Sequence, residues 1–316
     1  MSGVRQCTKA EARVWAGCFV SGDPWKPGLP GLASPSVTSD VSSETGAPRT
    51  TLSAIGVPLV VASVLGSTLG IIIAQFLDDF GDGLLAEIMG GSATLFNNRV
   101  ELSGATDIVW AGGFLLCLIV GLLALFAYPT QRGYGISRLT FLWMLLHVLR
   151  QALTQAVLLP FDDDSQLAMA YSTFDAPAGL DVVIAAAGGV GLLLVALSAA
   201  AAFLAFTPHR RLVASGGRRL SFTLWIVVIP AAVSVFLAIP FYLPDAESLV
   251  IPTLPLAAVM FLATLVAAPG TTTVQGPDEE RSTQAPWGTG VFLVLLLVFY
   301  LAVLQGGVSV DPRQWG

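Results

Sequence analysis

The sequence predicts an all-α protein, a polytopic integral membrane bundle of about seven transmembrane helices behind a disordered amino-terminal tail. Three observations predict it. Apolar residues make up 54% of the 316 residues and charged ones only 11%, with a mean hydropathy of +0.76, whereas a soluble domain carries roughly 25% charge. Seven hydrophobic runs approach or exceed the ~20 residues that a helix needs to cross a bilayer core. The short loops between the runs sort by the sign of their charge.

Residues 1–53 are polar and rich in Gly, Pro, Ser and Thr, a composition that cannot bury enough apolar surface to fold and predicts a disordered cytoplasmic tail. No apolar stretch follows its basic residues, so it is not a secretory signal. "WAGC" at Trp15–Cys18 resembles a lipoprotein cleavage box, but the charged "TKAEARV" before it excludes that reading. Lys9 and Lys26 are the only lysines, and no methionine separates Met1 from Met89. This break in usage predicts that translation starts later, at a codon such as Val37 or Val41. Low lysine with acidic loops resembles the composition of halophilic archaeal proteins.

The runs fall at about 55–77, 108–128, 139–160, 182–207, 222–244, 249–268 and 289–306, so residues 54–306 form the bundle and 307–316 a short extracellular tail. The first run carries Ala62, Gly66, Gly70 and Ala74, and the second Gly113, Cys117 and Gly121. Small residues every four positions let helix backbones approach closely in lipid. The fourth run is rich in Ala and Gly in the same way. Pro230 lies inside the fifth run and predicts a kink.

Loop 129–138 holds Arg132 and Arg138 without an acid, and loop 208–221 holds Arg210, Arg211, Arg218 and Arg219 without one. Loop 78–107 sets Asp78, Asp79, Asp82, Glu87, Glu101 and Asp107 against Arg99 alone. Loops 161–181 and 245–248 carry acids and no base. Short arginine-bearing loops stay cytoplasmic, and the two basic loops are separated by an even number of crossings. A plasma-membrane protein with its amino terminus inside and carboxyl terminus outside follows, with the acidic loops facing outward and solvated.

The third run contains the polar stretch "HVLRQALTQ". His147, Arg150, Gln151, Thr154 and Gln155 share one face of a helix. Arg150 lies roughly 18 Å along it from Arg138 at 1.5 Å per residue, past the centre of the core. An arginine there costs about 2.5–3.5 kcal/mol on the insertion scale, so it must face the bundle or a wet cavity. As read from the sequence, no other run carries a mid-membrane carboxylate. That counts against proton- or sodium-coupled transport, which commonly uses buried acids. The stripe is a helix-orienting polar network, a ligand contact or a catalytic group, in that order of preference.

"HVLRQ" stands where an intramembrane zinc protease has H-E-x-x-H, with the glutamate as base and two histidines on zinc. Val148 and Gln151 replace the last two functional residues, and "FDAPAGLD" resembles such proteases only faintly, so at most a degenerate inactive relative is implied. "DDFGD" at 78–82 resembles the magnesium-diphosphate motif of prenyl-transfer enzymes, and a second cluster, Asp162, Asp163 and Asp164, follows. Oxygen-rich clusters suit hard cations, so these six aspartates are a candidate cation-contacting outer loop, although a solvated acidic loop is the usual reading of a charge run. "DGLLAE" at 82–87 matches the start of the CDP-alcohol phosphotransferase motif only until Glu87 replaces its arginine. The loops' arginines also suit anionic lipid headgroups.

Three scattered cysteines and two histidines offer neither a disulfide framework nor metal spacing. A net charge of −6 speaks against nucleic acid. No cofactor is implied. The partners expected are the lipid bilayer and other membrane subunits. The reading is a non-enzymatic permease-like module or membrane-complex subunit; the alternative is an intramembrane enzyme or its inactive relative.

Overall fold

The computed structural model describes residues 55–130, 135–243, 247–271 and 285–311. The predicted disordered tail, the alternative start sites, Arg132 and Asp245 lie outside the described residues.

The described residues are mostly helical, and six helical stretches among them are long and apolar enough to cross a membrane: Val57–Ile88, Asp107–Thr130, Ile136–Leu158, Leu180–Leu204, Gly216–Phe241 and Trp287–Gly306. We label the α-helices α1 (Val57–Ile88), α2 (Gly112–Ala127), α3 (Ile136–Leu158), α4 (Gln166–Ser172), α5 (Leu180–Leu204), α6 (Gly216–Thr223), α7 (Ile229–Ala238), α8 (Glu247–Ala267) and α9 (Trp287–Ala302). The strands are β1 (Ser92–Leu95), β2 (Val100–Ser103) and β3 (Val308–Ser309).

The small-residue stripes are where helices touch. A Cβ at Gly66 would lie 3.2 Å from Thr140 Cα, and one at Gly70 would lie 2.8 Å from the Trp143 carbonyl oxygen, so α1 packs backbone-close on α3. The α2 stripe meets both helices. The Cys117 Sγ lies 3.5 Å from the Ala74 carbonyl of α1, and Gly121 faces Leu149 of α3. Trp143 is fully buried between Phe203 and Phe261, with ring centroids 4.9 and 5.6 Å away.

The fifth run stays helical through Pro230 but changes its winding just before it. A π-helical turn, Leu224–Val228, separates α6 from α7. Pro230 has no N–H to give the Ile226 carbonyl one turn earlier. The Ser63 hydroxyl of α1 supplies a donor instead, at 2.5 Å.

One expectation needs correction. The acidic loop 78–107 is not a loop over its first eleven residues, because α1 continues as helix to Ile88. At 32 residues it is roughly 48 Å long, more than a bilayer core needs. Its surplus turns stay inside the bundle against α2 and α3 rather than entering solvent. The remainder is a hairpin. β1 and β2 pair antiparallel, with Leu95 opposite Val100, and Phe96 N–H donates to the Arg99 carbonyl at 2.8 Å across Asn97 and Asn98. The start of the predicted 307–316 tail joins the same hairpin. β3 pairs antiparallel with β1, giving a three-stranded sheet in the order β2-β1-β3. Pairing both edges of β1 satisfies backbone groups that a loop would leave to water.

This sheet covers the end of α1. Gly83 lies against Ala93, Val100 and Val310. The Asn97 amide donates to the Phe241 and Leu243 carbonyls at 3.2 and 2.8 Å. At the opposite end, Arg219 donates to the carbonyls of Val213, Pro269 and Thr271 at 2.9, 3.2 and 2.5 Å.

Candidate functional site

The polar groups of α1 recur at helical spacing: Ser63, Ser67, Gln75, Asp78, Asp79 and Asp82. They divide into two sets along the α1–α3 contact, whose helices run parallel.

The inner set is a hydroxyl–indole–imidazole network. Trp143 Nε1 donates to Ser63 Oγ at 2.7 Å. His147 Nε2 lies 3.0 Å from Ser67 Oγ, which also meets Ser234 Oγ of α7 at 2.8 Å. The His147 ring stacks on Trp143 at 5.6 Å and tilts against Phe261. These bonds tie α1, α3 and α7 together in a part of the bundle where unpaired polar groups are costly.

The outer set centres on Asp78, which is 1% exposed. Gln151 Nε2 donates to its Oδ2 at 2.9 Å and Gln155 Nε2 to its Oδ1 at 2.7 Å. Arg150 reaches it through Gln151: its Nη2 makes a long 3.5 Å contact with Gln151 Oε1, and its charge acts on Asp78. Asp82, fully buried, accepts the Gly113 N–H at 2.7 Å. Gly113 also abuts the Asp78 carboxylate, which a Cβ there would strike. Both carboxylates therefore converge on the first turn of α2. Gln75 donates to Asp79 at 3.3 Å.

Several buried atoms of this set have no hydrogen-bond partner: Asp82 Oδ2, Gln155 Oε1, Arg150 Nε and Nη1, and Thr154 Oγ1. So do His147 Nδ1 in the inner set and the Tyr242 hydroxyl nearby.

The structure thus brings His147, Arg150, Gln151, Thr154 and Gln155 into the bundle interior, all buried, but splits them. His147 serves the serine network, Gln151 and Gln155 hold Asp78, and Thr154 engages neither. The six-aspartate outer loop is not brought together as a loop. Asp78, Asp79 and Asp82 are buried on α1, whereas Asp162, Asp163 and Asp164 lie in the turn after α3, the last two exposed. The stripe is therefore accompanied by buried carboxylates that the sequence reading placed in a solvated outer loop. The physical cause is the length of α1: the acids were assigned to a loop because the apolar run ends at Leu77, yet the helix does not. The missed signal was helical periodicity: Asp78 follows Ser67 by eleven residues, about three turns of helix, and Asp82 follows Asp78 by four. Trp143, Ser234 and Tyr242 carried no signal of their own. No family model matches the chain, and neither the curated proteins nor the solved structures contain a significant match to it.

Proposed function

We propose that the chain is a multi-pass plasma-membrane protein with seven crossings, amino terminus cytoplasmic, acting as a permease-like module whose outer polar set handles protons or other small ions. The carrying observation is the buried Asp78 carboxylate, held by two glutamine amides one helix face away from Arg150. Ionisable groups inside a membrane protein mark ion and proton pathways by default. Seven crossings are supported by the ends of the molecule. The end of α7 meets the hairpin through Asn97, while the chain after α8 meets Arg219 near α6, so α8 joins opposite faces. The arginine sorting of the loops supports the orientation. A non-enzymatic reading is supported by the engagement of His147 with Ser67 and Trp143, and by Val148 and Gln151 at the positions a metalloprotease needs for base and ligand.

The test is reconstitution into liposomes carrying an interior pH dye, with a potassium gradient and valinomycin to drive ion movement. The expected result is a flux above protein-free liposomes that Asp78→Asn abolishes while remaining monodisperse. Absence of proton flux at either polarity, together with absence of Na⁺ uptake into valinomycin-free liposomes, would overturn the permease reading and leave that of a complex subunit.

A further inference from the structure

Resting on the reading that the outer set handles small ions, we propose that Asp78 is reached from the acidic turn after α3, past Gln166 at the head of α4, and that the Gln155 side chain is the gate on this route. A hydrogen-bonded chain carries the inference. Gln155 Nε2 donates to Asp78 Oδ1 at 2.7 Å and to Gln166 Oε1 at 3.3 Å, so one amide stands between the two. Exposure rises along this chain. Asp78 is 1% and Gln155 7% exposed, Gln166 is half-buried, and Asp163 and Asp164 just before it are exposed. Buried polar atoms without a partner mark the same place: Gln155 Oε1, and the Oγ of Ser165, the residue before Gln166. Dry packing seldom leaves such groups unmet. The helix that Gln166 begins, α4, lies against the Asp107–Ala111 turn, which leads directly into Gly112 and Gly113 beside the carboxylates.

The opposite direction is shut. Asp78 stands eleven residues beyond Ser67, roughly 16 Å of helix, and Leu69, Ile71, Ile72 and Ala74 between them are buried. At Gly70, α1 meets the main chain of Trp143, whose ring packs against Phe203 and Phe261. On the α4 side one amide does what about three turns of apolar packing do on the other. The chemistry of the route selects cations. Residues 161–181 hold five aspartates and no base, which concentrates cations at the mouth and turns anions away. An amide suits the gate because it is neutral and carries both donors and an acceptor. Its N–H groups hold Asp78 and Gln166 when the route is closed, and its oxygen faces a passing cation when the amide turns. Each of its hydrogen bonds is worth little net, so it can turn without unfolding α3.

The test is thiol labelling of the full chain in detergent, with Cys7, Cys18 and Cys117 replaced by alanine. Gln166→Cys, Gln155→Cys and Ser67→Cys are each treated with a cationic trimethylammonium-ethyl and an anionic sulfonato-ethyl methanethiosulfonate, and each rate is normalised to that of a small free thiol. Gln166→Cys should react fastest, Gln155→Cys more slowly and Ser67→Cys not at all. At Gln166→Cys the cationic reagent should be favoured about tenfold at low ionic strength, a preference that fades in about 1 M salt. If Gln155→Cys does not fold, Gln151→Cys, at the other oxygen of Asp78, takes its place with the same expectation. An unreactive gate variant would overturn the route, as would Ser67→Cys labelling as fast as the gate variant, or equal rates for the two reagents at Gln166→Cys. Ion flux in liposomes with an unreactive gate variant would sink the route and leave the permease reading standing. Labelling in the expected order without flux would support the route and sink the permease.

Discussion

Arg150 illustrates how one side chain changes meaning once its neighbours are known. By sequence it is an isolated charge inside the membrane. In the bundle it is the positive member of a set whose negative member is Asp78, linked through the Gln151 amide. Replacing one side of a buried charge pair leaves the other uncompensated, at about 3–5 kcal/mol, whereas replacing both by neutral groups is often tolerated. Arg150→Met should therefore lower the melting temperature in detergent strongly, and the double variant Arg150→Met with Asp78→Asn should recover most of the loss. Equal melting of single and double variants would show that the two groups are not coupled. Ser63 makes a second case. Its hydroxyl accepts from Trp143 and donates to the Ile226 carbonyl that Pro230 cannot serve. Ser63→Ala should cost about 1–3 kcal/mol, the penalty of leaving buried partners unmade. Pro230→Ala in that background should recover part of it by returning an N–H to the helix, read by the same melting measurement.

At the scale of the element, backbone contact decides which glycines are essential. Gly81 of α1 and Gly112 at the start of α2 are packed main chain to main chain; a Cβ at Gly81 would sit 2.5 Å from the Gly112 carbonyl oxygen, and one at Gly112 would collide with that of Gly81. Main chain cannot swing aside as a side chain can. Gly81→Ala and Gly112→Ala should each destabilise by about 1–3 kcal/mol or more through overpacking and displace the carboxylates at Gly113. Gly189 of α5 has nothing within 4 Å of a Cβ. Gly189→Ala should be neutral or gain up to about 1 kcal/mol from helix propensity. Melting curves that rank the three variants differently would contradict the packing.

For the whole molecule the testable quantity is sidedness. Single cysteines placed in 161–181 in a cysteine-free background should label with an impermeant maleimide in intact cells, and those in 208–221 only after permeabilisation. Asp163 and Asp164 are exposed and suit the first set; Arg210 and Arg211 are exposed and suit the second. The reverse pattern would invert the orientation and put the sheet cap and the acid pair on the cytoplasmic side.

Apolar run length, small-residue spacing and Pro230 made the helices long and apolar enough to cross a membrane, their packing faces and the site of one irregular turn legible from sequence, because each rests on a property of one segment: its hydrophobic length, its side-chain volume, its missing N–H. The stripe from His147 to Gln155 was legible as an interior face for the same reason, since helical periodicity alone places it. What it faces was not. Asp78 and Asp82 read as loop residues because their charge ends the apolar run, and only the packing of α1 beyond the apolar run, against Gly112, Gly113, Gln151 and Gln155, removes them from solvent. The capping of the end of α1 by a strand whose Val308 lies 213 residues after its partner Leu95 (308 − 95) likewise depends on long-range pairing that no local pattern encodes. Local physics determined which segments are helices; the contacts between segments decided which charges share a site.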